Sequence, residues 1–141
     1  MQDQIEKAYN DYLEVKGKYD EATEEYKKIE NKIYAAGALI SYYKNVSEDY
    51  DNAYNVLNKS VEIVDKRFVY KDIEDSVEQI KELQKKCNDN YKKTESIIST
   101  TTTIFKELND KLEEQHKLVE ELNTEKELAY ARYSTLVANG Y

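Results

Sequence analysis

The chain of 141 residues contains no proline, no tryptophan and only three glycines. Proline and glycine disfavour helix most strongly, so their scarcity leaves almost nothing in the sequence to interrupt one. Charged residues make up 35% of the chain, and its mean hydropathy is -0.90. This composition predicts one all-α domain that buries a narrow apolar seam, and we expect an elongated shape.

Histidine and cysteine, which metal and redox sites use most, occur once each. Cys87 has no second cysteine to pair with, so we expect it to act as a small apolar side chain. A metal site at His116 with Glu113 and Glu120 needs further ligands from another helix, and we interpret this group as a hydrated helix face. The sequence also lacks phosphate-binding glycine loops and nucleophile motifs. We therefore expect no enzyme activity, no cofactor and no metal centre.

Long apolar runs are missing as well. The longest uncharged stretch, residues 33–43, is too short to cross a bilayer, and the first six residues lack the basic and apolar sections of a signal peptide. We expect a cytoplasmic protein without membrane insertion. Export together with a partner, by a route that cleaves no signal peptide, stays open.

Acidic residues outnumber basic ones in both halves of the chain. The net charge of -8 divides equally, with 10 basic and 14 acidic residues in positions 1–70 and 11 against 15 in positions 71–141. Nucleic acids and anionic membrane surfaces bind basic stripes, and neither half offers one. We therefore expect a protein partner and no nucleic acid.

A heptad repeat fills the first half of the chain. Every seventh residue from Ile5 to Phe68 is apolar or aromatic except Ser47, and the residues three places further on, from Ala8 to Val64, are apolar too. Two apolar positions in seven predict a helix that packs along another helix.

A second heptad seam, from Ile73 to Leu136, is out of frame with the first. The first frame continues to Asp75, whereas the apolar pair is Ile73 and Val77. The helix is therefore expected to turn between the seams. We predict a single domain formed by a long antiparallel helical hairpin, a two-helix coiled coil, with arm 1 at about 3–67, the turn at about 68–72 and arm 2 at about 73–138.

One alternative architecture breaks each arm again. Asparagine stands at Asn45, Asn88 and Asn90, and Ser47 could cap a new helix. The result is a four-helix bundle. The heptad frame continues through both places, which favours the long hairpin, with kinks there as an intermediate case.

Each arm contains one window without charge, residues 33–43 and residues 96–105. Folding at residues 68–70 brings the two windows side by side. Alanine and glycine at positions 35–38 could let the arms approach closely, with the threonines at 100–103 covering them. Alternatively, a third and a fourth helix dock on this uncharged belt.

Tyrosine is the most unusual component, with fourteen copies, ten of them in the first seventy residues. Tyrosine suits protein interfaces because it offers a large rigid ring with one polar end. A dry seam would strand its hydroxyl, so we expect the seam tyrosines at the seam's margin or beside a polar group. The residues predicted to bind a partner are Tyr12, Tyr19, Tyr26, Tyr34, Leu39, Ile40, Tyr43, Ile97, Ile98, Ile104 and Phe105.

The whole pattern resembles the helical hairpins of the WXG100 superfamily and, more closely in length and heptad content, the partner proteins encoded beside LXG toxins in Gram-positive type VII secretion systems. Arg67, Phe68 and Val69 stand where WXG100 proteins carry Trp-x-Gly, and Phe68 with Asp72 matches the aromatic-x-x-x-acid export signal. The resemblance implies a targeting chaperone that packs against a toxin's N-terminal helical domain, keeps it soluble and presents it for export, with a second small helical protein as a further partner. The alternative function is a self-associating structural coiled coil or scaffold, so homo-oligomers stay open.

Overall fold

The computed structural model contains two α-helices, α1 at Gln2–Arg67 and α2 at Lys71–Ala138. The structure describes the backbone of residues 2–67 and 71–139, and the side chains of residues 2–63 and 74–139. Within these ranges there is no strand, and the two helices pack against each other. The predicted all-α helical hairpin is therefore confirmed.

The four-helix alternative is wrong. Residues 45–47 lie inside α1 and residues 88–90 lie inside α2, and both helices continue through them without a break. Asparagine is only a weak helix breaker, and the continuous heptad seam on both sides of each place favours helix. Of the predicted turn, Phe68 and its next two neighbours lie outside the described residues. Asp72 belongs to α2, but its side chain is not among those described.

Contacts group the chain into two compact units. One unit combines Met1–Tyr34 with Lys106–Tyr141, and the other is Ala35–Phe105. In both units α1 and α2 run antiparallel, because the residue number rises along one helix as that of its contact falls along the other, so the sums stay nearly constant. The sum is 142 for 9 with 133 and 26 with 116 in the first unit, and for 37 with 105, 47 with 95 and 58 with 84 in the second.

The seam between the helices, here called the inner seam, is where the core lies. All described residues of the two heptad series are buried or half-buried. The most buried apolar residues are mostly small, and Ala8, Ala22 and Ala36 allow the two backbones to approach closely. A seam that occupies two positions in seven leaves most of each helix surface in water.

Four polar side chains complete the inner seam of α2: Gln84, Thr94, Gln115 and Lys126. They occupy the four positions of the alternating three-and-four-residue repeat at which no apolar residue stands. Three reach α1: Gln84 Nε2 donates to Asn58 Oδ1 at 3.1 Å, Gln115 Nε2 donates to the Ala22 carbonyl at 2.9 Å, and Lys126 Nζ lies 4.0 Å from the centre of the Tyr19 ring. Thr94 donates to the Asn90 carbonyl of its own helix at 2.8 Å.

Ser47, the polar member of the α1 seam, is 5% exposed and donates a hydrogen bond to the Glu95 carboxylate. Among the described side chains, every buried nitrogen or oxygen has a hydrogen-bond partner. The polar seam residues therefore cost little stability in this register, whereas a shifted register would break the hydrogen bonds that Ser47, Gln84 and Gln115 make across the seam.

Two helical glycines provide a direct test of this packing. A Cβ atom on Gly17 would meet no heavy atom within 4 Å, and one on Gly37 would lie 3.7 Å from Phe105, an ordinary contact. We predict that Gly17→Ala raises the free energy of unfolding by about 1 kcal/mol, because alanine loses less backbone entropy in a helix. Urea unfolding followed by circular dichroism measures it. Gly37→Ala should also stabilise, and a loss of stability there would contradict the described spacing of the helices.

Candidate functional site

The residues predicted to bind a partner fall into two groups. Seven are half-buried members of the inner seam, and they pack α1 against α2: Tyr12, Tyr19, Tyr26, Ile40, Tyr43, Ile98 and Phe105. Four are exposed: Tyr34, Leu39, Ile97 and Ile104. The second group exposes the larger share of its apolar surface, so the structure separates two roles that the sequence pattern had combined.

Three seam tyrosines, Tyr12, Tyr19 and Tyr26, are half-buried and pack against side chains of α2. The Tyr12 ring centre is 5.3 Å from that of Tyr130, the Tyr19 ring contacts Lys126, and the Tyr26 ring centre is 6.1 Å from that of His116. Each ring therefore packs against a side chain of α2. Their large apolar faces contribute to hairpin stability, and little of them is left for a partner.

His116 contacts its own helix as well as Tyr26. Its Nε2 atom lies 2.9 Å from Glu120 Oε1, one helical turn away, and both side chains are more than half exposed. Within the described residues, no three histidine, cysteine, aspartate or glutamate side chains are placed to hold a metal ion. The arrangement is that of a hydrated helix face.

The two uncharged windows overlap in the unit Ala35–Phe105. Ala36 is buried, and Gly37 lies against Phe105, so small residues do allow close approach there. The hydroxyl groups of Thr102 and Thr103 donate to carbonyl oxygens of their own helix at 2.7 and 3.2 Å. Ala35 and Ala38, however, are exposed. Close packing therefore accounts for part of the belt and leaves its outer side unexplained.

A further heptad seam runs along the exposed side of α1 between residues 35 and 63. Its members follow one another at alternating steps of four and three residues, and seven of the nine are apolar or aromatic. Four of these keep between 49% and 63% of their surface exposed. We call this set the outer seam: Ala35, Leu39, Tyr42, Val46, Asp49, Ala53, Val56, Ser60 and Ile63.

The same positions in the first half of α1 are almost all charged. Continuing the outer seam backwards gives eight charged residues among nine: Gln4, Lys7, Asp11, Glu14, Lys18, Glu21, Glu25, Lys28 and Lys32. A solvated helix face normally has this composition. The apolar composition of residues 35–63 is therefore a local feature that needs its own explanation.

Three exposed side chains of α2 lie on the same flank: Leu83, Ile97 and Ile104. Each stands one place before an inner-seam residue, as Leu39 and Val46 do on α1, and in an antiparallel pair these positions of the two helices share one flank. The opposite flank of this unit carries polar residues such as Lys44, Asp51 and Asn58. We call the outer seam together with these three residues the apolar flank. It lies entirely within Ala35–Phe105.

The predicted set included Leu39, Ile97 and Ile104 of this flank and missed Tyr42, Val46, Val56, Ile63 and Leu83. The signal that could have found them is the second alternation of three and four residues in the α1 sequence. It is masked by the stronger inner repeat.

In the described residues, neither helix contains a stretch that is both long and apolar enough to cross a membrane.

Two valines five residues apart test the division between inner and outer seam. Val61 is 8% exposed on the inner seam, and Val56 is 63% exposed on the outer seam. We predict that Val61→Asp lowers the free energy of unfolding by about 3 kcal/mol or more, because it buries a charge without a partner. Val56→Asp should change it by less than about 0.5 kcal/mol. Equal losses in urea unfolding would mean that the outer seam is packed within the chain.

The apolar flank and its neighbouring residues can be described from this chain alone. No protein family, characterised protein or solved structure matches the chain in sequence or fold comparisons. The interpretation of the flank therefore depends on its own chemistry: an exposed heptad seam on α1, bordered by three exposed aliphatic side chains of α2.

Proposed function

We propose that this chain is a non-enzymatic protein-binding module that receives a helix of a partner protein on its apolar flank. The observation that carries the proposal is the outer seam of α1, where Leu39, Tyr42, Val56 and Ile63 are exposed at heptad spacing. Exposed apolar surface of this extent on a helix is favourable to cover, and contiguous patches of this kind mark interaction sites.

The spacing favours a helix as the bound element. Side chains at steps of three and four residues form one straight ridge along α1, and the ridges of a second helix fit beside such a ridge. A β-strand would need exposed backbone groups to pair with, and all backbone groups in the middle of a helix are already paired. A small ligand would need a concave pocket rather than an extended flank.

The resemblance to the partner proteins of LXG toxins suggests which protein supplies that helix. In this proposal the partner is the N-terminal helical domain of a toxin exported by a type VII secretion system. Covering its apolar helices would keep the toxin soluble before export. Phe68 and Asp72 would then contribute an export signal beside the bound toxin.

The test uses co-expression of the chain with the products of its neighbouring genes, including any LXG toxin domain. We expect a stable hetero-complex by light scattering after size-exclusion chromatography. Val56→Asp should abolish the complex, because it places a charge in the apolar contact. Leu128→Asp is the matched control, since Leu128 is equally apolar and 67% exposed but lies on α2 in the other unit.

The proposal fails if the complex survives Val56→Asp combined with Leu39→Asp while both proteins remain folded. It also fails if the wild-type chain forms a homodimer that binds none of the neighbouring gene products. That second result would favour the structural coiled coil.

A further inference from the structure

Asp49 is the charged member of the outer seam, and it stands at the seam's centre. Ala35 and Ile63, the two end members, are each 14 residues away from it along α1. Ser60 is the other polar member, and its hydroxyl donates to the Val56 carbonyl at 2.9 Å. Ser60 can therefore be covered without losing a hydrogen bond, whereas Asp49 cannot be covered without a new partner.

The Asp49 carboxylate has no ion-pair partner within the described residues. The side chain is exposed, and the lysine–carboxylate pair found there joins Lys18 to Glu14. Water solvates this carboxylate while the flank is free. A helix placed over the outer seam removes that water, so a positive charge facing Asp49 on the bound helix favours binding.

The central position of Asp49 also disfavours a second copy of the chain as the occupant. Two outer seams in full register, parallel or antiparallel, would put one Asp49 opposite the other. Like charges facing each other in an apolar contact repel strongly. Each copy also has a net charge of -8, which adds long-range repulsion.

We propose that Asp49 excludes self-association through the apolar flank and selects a partner helix with a lysine or arginine at the facing seam position. A single charged residue at an inner position of a coiled coil is known to determine which helices pair. The inference deepens the proposed function and depends on it, because it names the chemistry of the helix that the flank receives.

The first experiment offers the wild-type chain two synthetic helical peptides of four heptads, about 28 residues each. Both have isoleucine and leucine at the seam positions, and they differ in one central seam residue, lysine or glutamate. We expect the lysine peptide to bind at least about tenfold more tightly by fluorescence anisotropy, given the size of measured couplings between close charges.

Asp49→Lys should reverse this preference. Asp51→Lys is the matched control, because it makes the same charge change two residues further on, on the opposite flank, and should leave the preference unchanged. Equal binding of both peptides to the wild type would overturn the inference and leave the proposed function intact. Failure of both peptides to bind would also overturn the inference, and the co-expression test alone decides the proposed function.

A second experiment measures the mass of the isolated chain by light scattering. Asp49→Leu completes an uninterrupted apolar seam, so we expect this variant to self-associate at concentrations where the wild type is monomeric. Val56→Asp added to Asp49→Leu should restore the monomer. A wild-type dimer that Val56→Asp dissociates would show that a second copy occupies the flank, and the inference would be wrong.

Discussion

The antiparallel contact between α1 and α2 is the interaction on which the rest of the structure depends. Isolated helices gain little from intrinsic propensity in water, so each helix needs the other to cover its inner seam. The seam occupies only two positions in seven. The residues outside the seam are therefore not restricted to apolar side chains, and their composition differs between the two compact units. One carries charge on its outer α1 positions, and the other carries the apolar flank.

The hairpin is held together by the inner seam, and the polar side chains of that seam find their partners without any residue of the apolar flank. Ser47, Gln84 and Gln115 each hydrogen-bond across the seam, and the seam tyrosines pack against side chains of α2. No described buried polar atom requires a further partner. Much of the surface of the flank's aliphatic side chains therefore stays uncovered by the hairpin itself, which distinguishes them from core residues.

The heptad pattern predicted the all-α hairpin because it repeats over some sixty residues in each half. Residue by residue, the inner-seam series from Ile5 to Val61 and from Val77 to Leu136 was correct. The four polar members at Gln84, Thr94, Gln115 and Lys126 escaped prediction, because their contribution depends on groups of the other helix. Val56 and Ile63 were not predicted, because two apolar repeats on one helix overlap in the sequence. They can be told apart only when the helix that covers one of them is known. The seam residue Ile40 and its exposed neighbour Leu39 show how adjacent positions acquire different roles.

The antiparallel register has a consequence for how the chain folds. Asn58 and Gln84 are separated by 26 residues in sequence, and Ser47 and Glu95 by 48, whereas Ala22 and Gln115 are separated by 93. Closing a short loop costs less entropy than closing a long one, so contacts of low sequence separation form first. The helix–helix contacts within the unit Ala35–Phe105 are therefore expected to form before the terminal parts of the helices pair. The flank that carries Leu39 and Val56 would therefore form before the terminal parts of the two helices pair.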